Sequence, residues 1–233
     1  MRVLRSGLFL LWFVFLTIVM GIVFLPILAG PRRWTVWMAR GWANATLWGL
    51  KIFSGIGMRV VGEAPKGGVL VASKHMSMWD TLALYIALDN PGIVLKRELL
   101  RIPIYGWYLW KAAAIAIDRG AGAEALRGMS QAAAKVIKEG RPVLIFPEGT
   151  RKKPGAPPDY KPGVAGLYAV LKTSCVPVAL NSGRYWRGFT KEPGIITLQF
   201  LETIGPGLKR GEFMALLEER IETATSRLLD QAP

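Results

Sequence analysis

An uncharged apolar run from Leu8 to Ala29, LFLLWFVFLTIVMGIVFLPILA, most narrows what this chain can become. At ~1.5 Å rise per residue its 22 positions make a helix long enough for the ~30 Å hydrocarbon core of a bilayer. A signal peptide is the competing reading, because Arg2 and Arg5 supply a basic start. The run is longer than a usual signal core, and Pro31-Arg32-Arg33 follows where small cleavage-site residues are expected, so retention as a membrane element is favoured. Arg2 and Arg5 lie before the run and Arg32, Arg33 and Arg40 after it, so the distribution of positive charge sets no orientation. Gly21 and Pro26 offer places to break the helix, which would let it enter the bilayer without crossing.

The next stretch, from Trp34 to Gly57, sets Trp34, Trp37, Trp42 and Trp48 among Arg40, Asn44 and Lys51. Tryptophans with scattered basic groups suit the headgroup boundary, where an amphipathic ring has a wet and a dry side; an ordinary core helix is the alternative. Net charge is +14, which suits anionic lipid or nucleic acid. The apolar segment points to anionic membrane lipids, and no zinc finger, aromatic RNP-type strand or long basic amphipathic helix supports nucleic acid. One cysteine (Cys175) and one histidine (His75) allow neither an intrachain disulfide nor a conventional zinc site, so neither metal nor cofactor is expected.

From Met58 onward, apolar runs of strand length alternate with helical segments. The expected strands are MRVVGE, GVLVAS, GIVLK, AAIAID, RPVLIF, CVPVAL and GIITLQFL. Helices are expected near Asp80–Leu88, Glu98–Lys111, Ala123–Lys138, Pro162–Lys172 and Gly211–Leu229. Such alternation argues for an α/β fold, with a central, largely parallel or mixed sheet flanked by helices. The expected organisation is an N-terminal membrane-anchoring segment of two helices, residues 1–57, and one α/β domain, residues 58–233.

Two segments share one grammar, in which a buried strand ends, a polar cluster follows and a helix comes later. They are VLVAS-KHMSMWD, with His75 and Asp80, and PVLIF-PEGTR, with Glu148, Gly149, Thr150 and Arg151. If the two strands are parallel neighbours, these side chains converge beyond their carboxyl ends. Imidazole accepts a proton near neutrality, and a carboxylate on its second nitrogen fixes the tautomer. Residues five apart on a regular helix lie ~500° apart, so His75 must sit in the turn with Asp80 at the helix start, where it can also cap the helix. The spacing alone favours a structural histidine with a capping aspartate over a catalytic pair. The second cluster changes that balance, because a carboxylate, a guanidinium fork and the N–H groups of a tight turn suit a phosphate with an adjacent hydroxyl.

These residues resemble the membrane-bound glycerolipid acyltransferases, most closely the 1-acylglycerol-3-phosphate (lysophosphatidate) acyltransferases. Four blocks carry the resemblance, from about Val69 to Ser182. They are His75 with Asp80; KRELLRIPIYG (Lys96, Glu98, Leu99, Pro103, Gly106), leading to IAIDR with Arg119; FPEGTR from Phe146 to Arg151; and VPVAL around Pro177. The resemblance implies transfer of a fatty acyl group from acyl-CoA or acyl carrier protein to the sn-2 hydroxyl of the lysophospholipid 1-acyl-glycerol-3-phosphate, giving phosphatidic acid. It further implies that His75 is the base and Asp80 its orienter. Glu148, Gly149 and Thr150 would shape the acceptor site, and Arg151, with Lys96, would hold the phosphate. A cytoplasm-facing site at a bacterial inner membrane is the expected location.

The chain departs from the family pattern at Lys74 and Met76, where the first block usually reads Asn-His-Gln-Ser. Lys74 is expected to be able to meet phosphate, and Met76 to alter donor or acceptor contacts. With a single histidine, a separate Ser-His-Asp site elsewhere is excluded, and Ser77 is not expected to carry the acyl group. GAGAEA, Gly120 to Ala125, imitates a dinucleotide fingerprint in small residues only. The basic stretch around Arg187, with Arg184 and Lys191, reads as a solvated or lipid-facing loop. Glycerol 3-phosphate or a lyso-aminolipid are the alternative acceptors, and a non-catalytic basic membrane module is the alternative class.

Overall fold

A computed structural model describes residues 1–118 and 122–231. Helix α1 spans Arg2–Val23, starting before the apolar run and stopping short of Ala29. Pro26, tolerated only in a first turn, opens a separate 3₁₀ turn over Leu25–Ala29. Helix α2 spans Arg32–Gly49 and continues as a π-helical turn, Leu50–Ser54, which ends at Gly55 with φ of 69°. Strands β1 (Ile56–Val61) and β2 (Leu70–Ser73) come after it, then α3 (Met78–Ala87), β3 (Gly92–Lys96), α4 (Tyr105–Lys111) and β4 (Ile115–Ile117). Next come α5 (Gly122–Lys138), β5 (Val143–Ile145), α6 (Gly163–Leu171), β6 (Cys175–Leu180) and the short α7 (Ser182–Tyr185). The chain closes with β7 (Trp186–Arg187), β8 (Thr190–Lys191), β9 (Gly194–Phe200) and α8 (Arg210–Asp230).

Seven strands form one sheet in the order β1-β9-β6-β2-β5-β3-β4. All neighbours pair in parallel except β6 and β9, which makes the sheet mixed, as the alternating pattern predicts. Successive side chains point to opposite faces. Leu70, Ala72, Val143 and Ile145 therefore pack with Met129 and Ala133 of α5, Val164 of α6, and Phe213 and Leu217 of α8. Val71 and Leu144 pack on the other face, against Trp79, Leu84 and Leu88.

The N-terminal helices lie on this second face. Phe9 is buried in the same cluster, with Trp12 and Phe13 against it. Trp12 Nε1 donates to the Ala45 carbonyl at 3.0 Å, and Trp42 Nε1 to Thr17 Oγ1 at 3.0 Å, joining α1 to α2. Arg40 donates to the carbonyls of Leu88 (2.9 Å) and Ile86 (3.0 Å), where the end of α3 leaves acceptors free. Much of α1 remains bare, with Leu11, Phe15, Ile18 and Ile22 all exposed. Among the described residues, α1 alone is long and apolar enough to cross a bilayer.

Two sequence expectations are corrected. Glu98–Lys111 is not one helix but a 3₁₀ turn, Arg97–Arg101, followed by α4. Pro103 supplies no N–H and holds Ile102 extended, and Ile104 takes φ of 65° before α4 starts. Gly106 completes the corner, since a Cβ there would overlap the Leu100 carbonyl. The basic stretch near Arg187 is a β7–β8 hairpin whose tip, Arg187 to Phe189, is exposed, but Lys191 departs from a solvated or lipid-facing reading. Its Lys191 is buried, donates to the carbonyls of Gly188 (2.6 Å) and Phe189 (3.0 Å), and lies 4.2 Å above the Trp186 ring. Burial pushes the Lys191 ammonium down to about 8. Arg119, and Gly120 and Ala121 of the glycine-alanine stretch, lie outside the described residues.

Candidate active site

Strands β2, β5 and β3 are parallel neighbours, so the segments leaving their carboxyl ends gather along one edge of the sheet. His75 lies in the turn between β2 and α3, and Asp80 is the third residue of α3. His75 Nδ1 is 3.0 Å from Asp80 Oδ2. A carboxylate oxygen only accepts, so the ring proton belongs on Nδ1 and Nε2 keeps its lone pair. Asp80 is fully buried, and its Oδ2 also accepts the backbone N–H groups of Met76 (2.6 Å) and Ser77 (2.8 Å). The aspartate thus orients the ring and caps the helix at once, the double use that the five-residue spacing allows.

Ser77 Oγ is buried, 3.1 Å from Asp80 Oδ1 and 2.9 Å from Ser182 Oγ. With one proton to give, Ser77 donates to the carboxylate and accepts from Ser182. It supports Asp80 and presents no free nucleophile. Met76 is also buried, and its sulfur lies 2.8 Å from where a Cβ on Gly183 would fall.

The second cluster is a tight turn beyond β5, closed by the Gly149 N–H on the Phe146 carbonyl at 2.9 Å. Pro147 fits the fixed φ this turn requires, and Gly149 adopts φ of 66°, where a side chain is unfavourable. The turn meets the first cluster in two ways. The Phe146 ring stacks on the imidazole, with centroids 3.9 Å apart and planes 21° apart. The Lys152 N–H donates to the His75 carbonyl at 2.9 Å.

Within this turn the predicted residues part company. Thr150 and Arg151 are exposed, and among the described residues no carboxylate pairs with Arg151. The charge of Arg151 reaches Tyr105, the first residue of α4. Lys96, the exposed last residue of β3, stands on the same sheet edge. Glu148 points inward instead, and is 1 % exposed. Its Oε1 accepts from Lys74 Nζ at 2.8 Å. Burial pushes the Glu148 carboxyl up, while the Lys74 ammonium and the His75 backbone N–H pull it back.

Lys74 is a correction. It is 2 % exposed and enclosed by Glu148 and Glu222, so it does not face a bound phosphate. An ammonium buried at that depth needs carboxylate partners, and here it has two. Phe146, Ser182 and Glu222 were not singled out by sequence reasoning. Phe146 sits inside a recognised block, whereas nothing local marks Glu222, which lies 148 positions from Lys74.

A groove of about 910 Å³ lies between β9 and α8, lined by Arg59, Tyr185, Thr197, Arg220 and Arg227 among others. It contains none of the predicted site residues.

A mixed α/β sheet with a histidine–aspartate pair beyond its parallel strands is a framework on which a base can be held against a bound hydroxyl. The Acyltransferase family model matches residues 57–181, over half of the 233. The chain is 34% identical over 212 residues to the 1-acyl-sn-glycerol-3-phosphate acyltransferase of Pseudomonas aeruginosa, covering 88% of this chain and 80% of that protein. It is 30% identical over 175 residues to the lyso-ornithine lipid O-acyltransferase of the same bacterium, covering 75% of this chain and 66% of that protein. The crystal structure of the 1-acyl-sn-glycerophosphate acyltransferase from Thermotoga maritima superposes with a TM-score of 0.77, over 98% of this chain and 99% of that one. At 21% identity that likeness speaks to the fold alone. The chain belongs to the acyltransferase family and is an acyl-transferring enzyme.

Proposed function

We propose that the protein transfers a fatty acyl group from a thioester, acyl-CoA or acyl carrier protein, to the sn-2 hydroxyl of 1-acyl-glycerol-3-phosphate, making phosphatidic acid. His75 Nε2 takes the hydroxyl proton as the oxygen attacks the thioester carbonyl. Asp80 steadies the imidazolium that results. The tetrahedral intermediate collapses with loss of the thiolate, which takes the proton back from His75. No enzyme nucleophile is needed, in keeping with the enclosed Ser77. Arg151 and Lys96 receive the acceptor's phosphate, and Gly149 and Thr150 shape the space beside it. Glu148 acts from behind, through Lys74.

The observation that carries this reading is the 3.0 Å His75–Asp80 contact, with Arg151 one residue from the amide that holds the His75 carbonyl. Residues 1–57 serve as the membrane anchor and residues 58–233 as the catalytic domain. The bare face of α1 continues onto α4, where Tyr108 Oη donates to the Gly21 carbonyl at 3.0 Å and Trp107 and Trp110 stand exposed. Leu28 of the 3₁₀ turn shares an apolar cleft with both tryptophans. This surface rests in one leaflet rich in anionic lipid, at the cytoplasmic face of a bacterial inner membrane, with the site mouth at headgroup level.

The 30% identity to an acyltransferase named for lyso-ornithine lipid favours a second acceptor, one without phosphate. Purified protein assayed with lysophosphatidate, lyso-ornithine lipid and glycerol 3-phosphate, each with both thioester donors, decides between them. Highest kcat/KM on lysophosphatidate is expected. Turnover of the ornithine lipid alone would replace the reading.

A further inference from the structure

The charges behind the base are not explained by the acyl-transfer step. Lys74 Nζ has three hydrogen-bond partners for its three protons: Glu148 Oε1 at 2.8 Å, and Glu222 Oε1 and Oε2 at 2.8 and 3.0 Å. Glu222 is in turn fixed by Tyr160 Oη at 2.9 Å. Burial and the nearby carboxylates push the Tyr160 hydroxyl far up, so it remains a donor. Glu222 belongs to α8, beyond the residues that the family model matches.

The brace spans both halves of the site. Lys74 adjoins His75, and its own N–H is held by the Val178 carbonyl at 3.0 Å. Glu148 lies two positions beyond Phe146, on which the imidazole rests, and three before Arg151. With Glu148 alone, the ammonium would lose the two carboxylate oxygens that accept two of its three protons, a costly loss for a cation 2 % exposed. The ammonium would then turn, and its two neighbours with it.

We propose that Glu222 is a positioning residue for acyl transfer. Seated by Tyr160, it completes the coordination of Lys74 and so keeps the His75 loop and the Glu148 turn in one fixed relation. The proposal rests on the reading of His75 as base. It assigns the C-terminal helix a part in the site, and it makes the loss of Glu222 costly only while Lys74 is present.

The test is a double-mutant cycle with Lys74→Asn and Glu222→Gln, read as kcat, acceptor KM and Tm on the full-length protein. Alone, Glu222→Gln is expected to lower kcat about ten- to a hundredfold, the size of loss a displaced reacting group gives, with a much smaller change in acceptor KM. In the Lys74→Asn background the same substitution is expected to lower kcat less than twofold, as coupled partners behave. Equal losses in both backgrounds, or a fall in Tm with unchanged kcat, would overturn the proposal. If Lys74→Asn does not fold, Tyr160→Phe carries the test, since it leaves both charges in place. A severalfold fall in kcat at near-constant Tm is then expected, and an unchanged kcat would count against Glu222. Activity remaining in His75→Ala would remove the base assignment, a separate outcome from additivity between Lys74 and Glu222.

Discussion

The imidazole of His75 lies nearly flat on the Phe146 ring, with centroids 3.9 Å apart, so the proposed base is held by one loop and levelled by another. Asp80 fixes one ring nitrogen, and the stack limits rotation about the remaining axis. Aromatic pairs of this kind contribute ~0.5–1.5 kcal/mol beyond their buried area. Phe146→Ala is expected to lower kcat about tenfold with the fold intact, by letting the ring tilt away from its working geometry. Steady-state kinetics beside a thermal melt check this, and Phe146→Tyr should restore most of the rate.

Arg151 is expected to act on binding more than on turnover. Its guanidinium is exposed and, among the described residues, unmatched by any carboxylate, which suits a site that awaits an anion. Arg151→Ala should raise the acceptor KM about ten- to a hundredfold for lysophosphatidate, the range for losing a charge-assisted contact. The effect on kcat should be small. An unchanged KM would assign the phosphate to another cation.

The proposed lipid-facing surface can be tested apart from the chemistry. Trp107 and Trp110 are 52% and 72% exposed, beside Lys111 and Leu28 of the 3₁₀ turn. Replacing both with serine should weaken partitioning to vesicles containing anionic phospholipid by about tenfold, because interfacial tryptophans anchor at headgroup level. Activity on detergent-dispersed substrate should be kept. Equal partitioning of wild type and variant, in flotation or sedimentation, would place the contact elsewhere.

Acid should loosen the attachment of α2. Glu139 Oε2 lies 2.9 Å from Arg32, the first residue of α2, and 2.9 Å from Arg141. The Arg32 and then the Arg141 hydrogen bonds hold the Glu139 carboxyl below its usual range. A carboxylate with a depressed folded value adds stability that is fully present above its unfolded value, about 4.5, and is lost as pH falls through the folded one. Wild type should therefore melt above Glu139→Gln at neutral pH, and the gap should close below about pH 4.5. Melting curves across that range check it.

Much of the fold and of the site was legible because strands and turns are locally encoded. GIVLK and CVPVAL fall on β3 and β6 residue for residue, and the His75–Asp80 spacing required the turn-then-helix arrangement that the structure has. A continuous helix over Glu98–Lys111 fails because Pro103, through its effect on the preceding backbone, outweighs the apolar spacing there. Lys74 and Lys191 depart from expectation for a different reason. A lysine's sequence neighbours do not reveal whether a carboxylate or a carbonyl pair waits for it, and Glu222 and the hairpin carbonyls arrive only through the tertiary fold. Glu148 lies in the block that marks the candidate site, but its inward direction depends on Lys74 across the strand junction.

The central claim is that His75 removes the proton from the acceptor hydroxyl, and pre-steady-state turnover of purified His75→Ala tests it most directly. With enzyme in excess over lysophosphatidate and saturating acyl-CoA or acyl carrier protein thioester, the variant should retain acceptor binding and vesicle association. Its rate of phosphatidate formation should fall by about 10²–10⁴ or more, the range for losing a positioned base. Transfer at a rate near wild type would contradict the account.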